Sequence, residues 1–131
     1  MGLQNTEGLH VVGKKRYVLH GNFLPNGASA IAAPLQFTAG YSVARTSAGV
    51  YTITLLDNWL RMQWISVTLV STALQNNYVQ AGLITLGTSS ASPTAVINAA
   101  AGGGTTPTDI AAAAGTYIAF AIMLSVDTVQ A

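Results

Sequence analysis

Apolar and polar positions alternate with a period of two along most of this chain, the signature of strands with one buried face. In residues 17–23, Tyr17, Leu19, Gly21 and Phe23 alternate with Val18, His20 and Asn22 before Pro25-Asn26-Gly27 breaks the run. The clearest hairpin signal joins residues 41–45 to residues 50–55 through a four-residue loop, 46–49, that ends in Gly. Within it Tyr51, Ile53 and Leu55 share one face, predicted as core, and Val50, Thr52 and Thr54 share the more exposed one. Asp57-Asn58 offers the next turn, although Trp59 keeps that corner partly apolar.

Residues 60–71 alternate again, with Ile65, Val67 and Leu69 on one face, and Asn76-Asn77 ends the run. A further strand is predicted over 78–86, interrupted by Gly82, then a short one over 94–98 and a last one over 117–126. Residues 88–93 read as a loop, and so do 101–107, where three consecutive glycines favour flexibility. Residues 110–114 fit either a loop or a single helical turn with Asp109 as its N-cap. About eight short strands with regular breaks predict an all-β fold, an antiparallel β-sandwich of jelly-roll type. The expected organisation is an extended N-terminal arm over 1–16 and a single sandwich domain over 17–131.

The last predicted strand departs from the one-sided pattern. Ile118, Phe120, Ile122, Leu124 and Val126 alternate with Tyr117, Ala119, Ala121 and Met123, so both faces are apolar. One face belongs in the core of the same sandwich, and the other asks for a covering that a small antiparallel sheet does not supply itself. Tyr117, Ala119, Ala121 and Met123 are therefore the candidate oligomer interface. Residues 110–126 are also at the lower length limit for a membrane-spanning helix. Their β-branched and aromatic second half and their flanks, Asp109 and Asp127 with no Lys or Arg, favour the strand and no membrane.

Composition narrows the function. Only 7% of residues are charged and the net charge is +1, which leaves little long-range attraction for nucleic acid and little repulsion between copies. There is no Cys, so disulfides, thiolate metal sites and Cys nucleophiles are excluded. His10 and His20 stand without a nucleophile-elbow motif, and the acids Glu7, Asp57, Asp109 and Asp127 have no spacing that would hold calcium or zinc. Gly102-Gly103-Gly104 is followed by Thr105-Thr106 and no Lys, so it is not a phosphate-cradling loop. The expectation is no enzyme, no catalytic residue, no metal and no cofactor. Lys14, Lys15 and Arg16 place three of the five basic residues in the arm, where they form a candidate partner-binding segment.

The hairpin stretch SVARTSAGVYTITL, residues 42–55, resembles a strand-turn-strand of small tailed-bacteriophage structural proteins. Its matching positions are Ala44-Arg45-Thr46, Gly49, Tyr51 and Leu55, with Ile53 where that pattern carries Val. It is also loosely similar to the hairpin of C1q- and tumour-necrosis-factor-like trimeric jelly rolls. The resemblance implies a non-enzymatic homotrimer on the capsid surface of a virion, a cement or decoration protein that binds the major capsid protein of a phage head and stabilises the shell. An alternative in the same structural class is a trimeric receptor- or glycan-binding tip of a tail fibre, presenting aromatic residues such as Trp59 and Trp64. A small jelly-roll hydrolase is the alternative from a different class.

Overall fold

Strands form where the alternation predicts them, with one addition near the N-terminus. The computed structural model describes residues 9–13, 16–31, 40–55, 61–72, 76–85, 94–102, 104–113 and 115–125. Its strands are β1 (Leu9–Gly13), β2 (Arg16–Phe23), β3 (Tyr41–Ser47), β4 (Val50–Leu55), β5 (Arg61–Val70), β6 (Asn77–Thr85), β7 (Thr94–Ala101) and β8 (Tyr117–Ser125). They build two four-stranded sheets, ordered β1-β2-β8-β5 and β3-β4-β7-β6, with every pairing antiparallel. The fold is an antiparallel β-sandwich. The outermost long strands of the chain, β2 and β8, are neighbours in one sheet, and β4 and β7, which lie between them in sequence, are neighbours in the other, with β3 on the outer side of β4.

The core lies between the sheets. Leu19, Phe23, Ile118, Phe120, Ile122 and Leu124 enter it from the first sheet, and Tyr41, Tyr51, Ile53, Leu55, Ala95, Ile97 and Ala99 from the second. Each large aliphatic side chain taken fully out of water contributes roughly 1.5–3 kcal/mol. Two aromatic pairs bridge the layers: Tyr41 meets Phe120 edge-on with centroids 5.0 Å apart, and Phe23 lies 5.1 Å from Tyr51. The period-two pattern of β4 is reproduced: Tyr51, Ile53 and Leu55 are fully buried while Val50, Thr52 and Thr54 are half-buried. Gly21 makes room for the ring of Tyr41, because a Cβ there would clash with the phenol oxygen and the ring carbons beside it.

Several local expectations change. Within residues 1–16, expected as an arm, Leu9–Gly13 pairs with β2 as an edge strand, Leu9 opposite Leu19 and Val11 opposite Tyr17. The β3–β4 connection is tighter than a four-residue loop, because β3 continues to Ser47 through a register irregularity and Ala48-Gly49 make the turn. Gly49 adopts φ +65°, and a Cβ there would strike the backbone of Thr108 and Ala99, so the turn and the close approach both call for glycine. Strand β7 runs on to Ala101, past the expected end at 98, and β6 crosses Gly82 with a shift in pairing between Ala81 and Ile84.

The glycine-rich loop expected to be flexible is tied to the second sheet. Tyr78 donates its hydroxyl proton to the Gly104 carbonyl, Gly104 N–H bonds to Ala101 O, and Pro107 bridges to Ala100. Residues 110–113 are irregular rather than helical, with Ile110 anchored in the core. Among the described residues no helix is long and apolar enough to cross a membrane.

Candidate interaction face

β8 is an interior strand of the first sheet, paired with β2 on one side and β5 on the other, and that position decides what its two faces meet. Ile118, Phe120, Ile122 and Leu124 are at most 4% exposed and face the second sheet. Tyr117, Ala119, Ala121 and Met123, the predicted interface stripe, lie together on the opposite, half-buried face. The structure thus collects these four side chains on one surface, and no layer of the described chain covers it.

Registers on either side widen the stripe. Val18, Met123 and Trp64 form one row across β2, β8 and β5; His20, Ala121 and Ser66 form the next, then Asn22, Ala119 and Thr68, and Tyr117 stands opposite Val70 at the end. Trp64 is 41% exposed, the most exposed large apolar side chain among those described. The middle rows are small, with Ala, Ser and Thr on β8 and β5, while the outer rows carry Trp, Met, Val and Tyr. His20 is the one histidine whose side chain is described on this face, and Asp109, the only acid in the described residues, lies elsewhere.

Sequence reasoning placed the β8 stripe but not its neighbours on β2 and β5. The signal was present in the alternation of 17–23 and 61–70, whose outward positions are Val18, His20, Trp64, Ser66 and Thr68. What was missing was the strand order, since nothing local states that β2 and β5 flank β8. Lys14 and Lys15 lie outside the described residues, and Arg16 opens β2 opposite Ser125. Trp59 lies outside them too.

A second polar constellation braces the fold. Arg45 Nε and a terminal guanidinium nitrogen donate to the two carboxylate oxygens of Asp109 at 2.9 and 2.8 Å, and Gly49 N–H donates to the same carboxylate at 2.8 Å. Thr108 N–H to Ala99 O and Ala99 N–H to Gly49 O extend the link into β7. The Arg45 guanidinium, aided by the Gly49 N–H, holds the Asp109 carboxyl below the ordinary carboxylate range against a smaller opposing effect of burial. Two side chains 64 residues apart thereby clamp the loop before β8 onto the β3–β4 turn. Neither residue was paired with the other from sequence, because the clamp depends on where the long loop returns.

Among the described residues no group of three or more His, Cys, Asp or Glu side chains gathers where a metal ion could be held. The described side chains on the outer face of β2, β8 and β5 are apolar groups, hydroxyls, the Asn22 carboxamide and the His20 imidazole. Comparison of the chain with known protein families, with curated proteins and with solved structures finds no match in any of them.

Proposed function

We propose that this protein is a non-enzymatic structural component of a virion, a capsid cement or decoration protein of jelly-roll type that works as a homotrimer and binds the major capsid protein. The observation that carries the self-assembly part is the outer face of β2-β8-β5, which no other described strand covers and where exposed Trp64 stands with half-buried Met123, Val18, Tyr117 and Val70 on one surface. A surface of that kind in water favours association, because removing apolar area from solvent is the dominant drive in protein–protein contact. The nesting of β2 beside β8 and β4 beside β7 supports the jelly-roll type. The capsid assignment rests on the resemblance of residues 42–55 to phage structural hairpins.

The glycan-binding tip draws less support, since the two large aromatics exposed among the described residues, Trp64 and Tyr78, stand on different sheets and do not form one stacking platform. Light scattering coupled to gel filtration should return three times the 13.5 kDa chain mass for the wild type. Ala121→Arg should reduce that mass while leaving the far-ultraviolet circular dichroism unchanged, because a charge set into an apolar contact loses hydration without gaining a partner. A monomeric wild type at micromolar concentration would overturn the assembly reading. Immunogold labelling of virions that carry the protein should decorate heads, and label confined to tails would refute the capsid assignment.

A further inference from the structure

We infer that the Asn26-Gly27 turn is a latent deamidation site, held closed by the Ile110 carbonyl and opened when the loop that carries Asp109 leaves the β3–β4 turn. This modification site stands whether or not the protein assembles with itself.

Asn26 is the only Asn in the chain that is followed by Gly. At such a pair the backbone nitrogen of the glycine can attack the side-chain carbonyl of the Asn, because glycine has no Cβ to obstruct the approach. The bond from Gly27 N to Asn26 Cγ forms, the Cγ–Nδ2 bond breaks, and ammonia leaves with the proton that the Gly27 nitrogen gives up. Water then opens the five-membered imide at one of its two carbonyls, leaving Asp or isoAsp at position 26. The reaction needs only water and a base to carry the proton.

Both reacting groups are occupied in the folded chain. Gly27 N–H donates to Ile110 O at 2.9 Å, and Asn26 Nδ2 donates to Ala30 O at 3.0 Å. The Asn26 backbone carbonyl accepts Ser29 N–H at 3.1 Å, which fixes the turn around them. Attack requires the Gly27 nitrogen to lose its proton and face Cγ, so the bond to Ile110 has to break first. Asn26 and Gly27 are only half-buried, and water reaches the pair once that bond is lost.

Ile110 follows Asp109 in the chain, and this ties the site to the clamp. Arg45 and Gly49 N–H hold the Asp109 carboxylate, Thr108 N–H bonds to Ala99 O, and the Ile110 side chain is buried in the core. The carbonyl that protects Gly27 is therefore set in place by contacts on the β3–β4 turn and β7. Folds open locally in contiguous units, so release of the clamp frees Gly27 together with Gly49 and Thr108. Deamidation makes that opening permanent, because isoAsp lengthens the main chain beside Gly27 and either product adds a charge to the turn.

Peptide mapping by mass spectrometry after incubation in mildly alkaline buffer measures conversion at Asn26, and enzymatic isoaspartyl methylation marks isoAsp. Folded wild type should convert at least about tenfold more slowly than the same chain unfolded in urea, since a closure of about 1.4 kcal/mol leaves about one molecule in ten open. Arg45→Gln and Asp109→Asn should each raise the folded-state rate several-fold. Native-state hydrogen exchange on the wild type needs no folded variant: the Gly27 amide should be protected and should open together with those of Gly49 and Thr108. Equal conversion in the folded and unfolded chains would overturn the closed site. Folded variants that convert no faster than wild type, or a Gly27 amide that exchanges while Gly49 and Thr108 stay protected, would overturn the link to the clamp.

Discussion

Two buried tyrosines in the same core differ in one respect, and a pair of Tyr→Phe substitutions turns that difference into opposite signs. Tyr41 is 1% exposed and its hydroxyl donates to Asn22 O at 3.2 Å while accepting from Asn22 N–H at 3.3 Å. Tyr51 is fully buried and, among the described residues, its hydroxyl has no partner in full hydrogen-bond geometry, the Ile110 backbone giving it only a weaker polar contact. Burial pushes both phenols up, and at Tyr41 the Asn22 backbone works against it. Removing the Tyr41 hydroxyl deletes two neutral hydrogen bonds, each worth about 0.5–1.5 kcal/mol net, so Tyr41→Phe should cost about 1–3 kcal/mol. Removing the Tyr51 hydroxyl deletes a desolvated group that has no fully formed hydrogen bond among the described residues, so Tyr51→Phe should be neutral or stabilise by up to about 1 kcal/mol. Urea unfolding followed by tryptophan fluorescence, at one fixed protein concentration because assembly adds to apparent stability, measures both. A Tyr51→Phe variant destabilised as much as Tyr41→Phe would refute the reasoning and show that the Tyr51 hydroxyl has a partner.

Ile53→Ala should cost about 2–5 kcal/mol through lost burial and a cavity, and Thr52→Ala about 1 or less; equal shifts in urea midpoint would disprove the register of β4. Gly21→Ala should displace the Tyr41 ring and be partly relieved by Tyr41→Phe, so a double-mutant cycle returning strict additivity would refute the close approach. The Asp109 carboxyl is held below its ordinary range in the folded state, so its contribution is fully present above about pH 4 and lost as pH falls through the lower folded value. Asp109→Asn should therefore lower the melting temperature at pH 7 and converge with wild type near pH 2, and curves that stay parallel across that window would contradict the clamp. Deleting residues 1–13 removes strand β1 and should lower the melting temperature, whereas an unchanged value would show that the Leu9–Gly13 ladder adds nothing to the isolated domain.

The alternation in residues 17–23, 50–55 and 117–125 was enough to assign strands and core faces, because a period of two puts alternate side chains on opposite sides whatever the partner strand is. It was also enough to mark β8 as doubly apolar. Boundaries were less legible: Ser47 joins β3 only because the pairing with β4 tolerates an irregularity, and Leu9–Gly13 has weak periodicity and becomes a strand by borrowing β2 as its template. Strand order was decided by tertiary structure alone, since backbone hydrogen bonds carry no label for the partner they join. That order turns a four-residue stripe on β8 into a face of three strands with Trp64 and His20 on its flanks. It also brings Arg45 to Asp109, an attraction between single charges that local sequence cannot announce because its two ends meet only after the chain has closed.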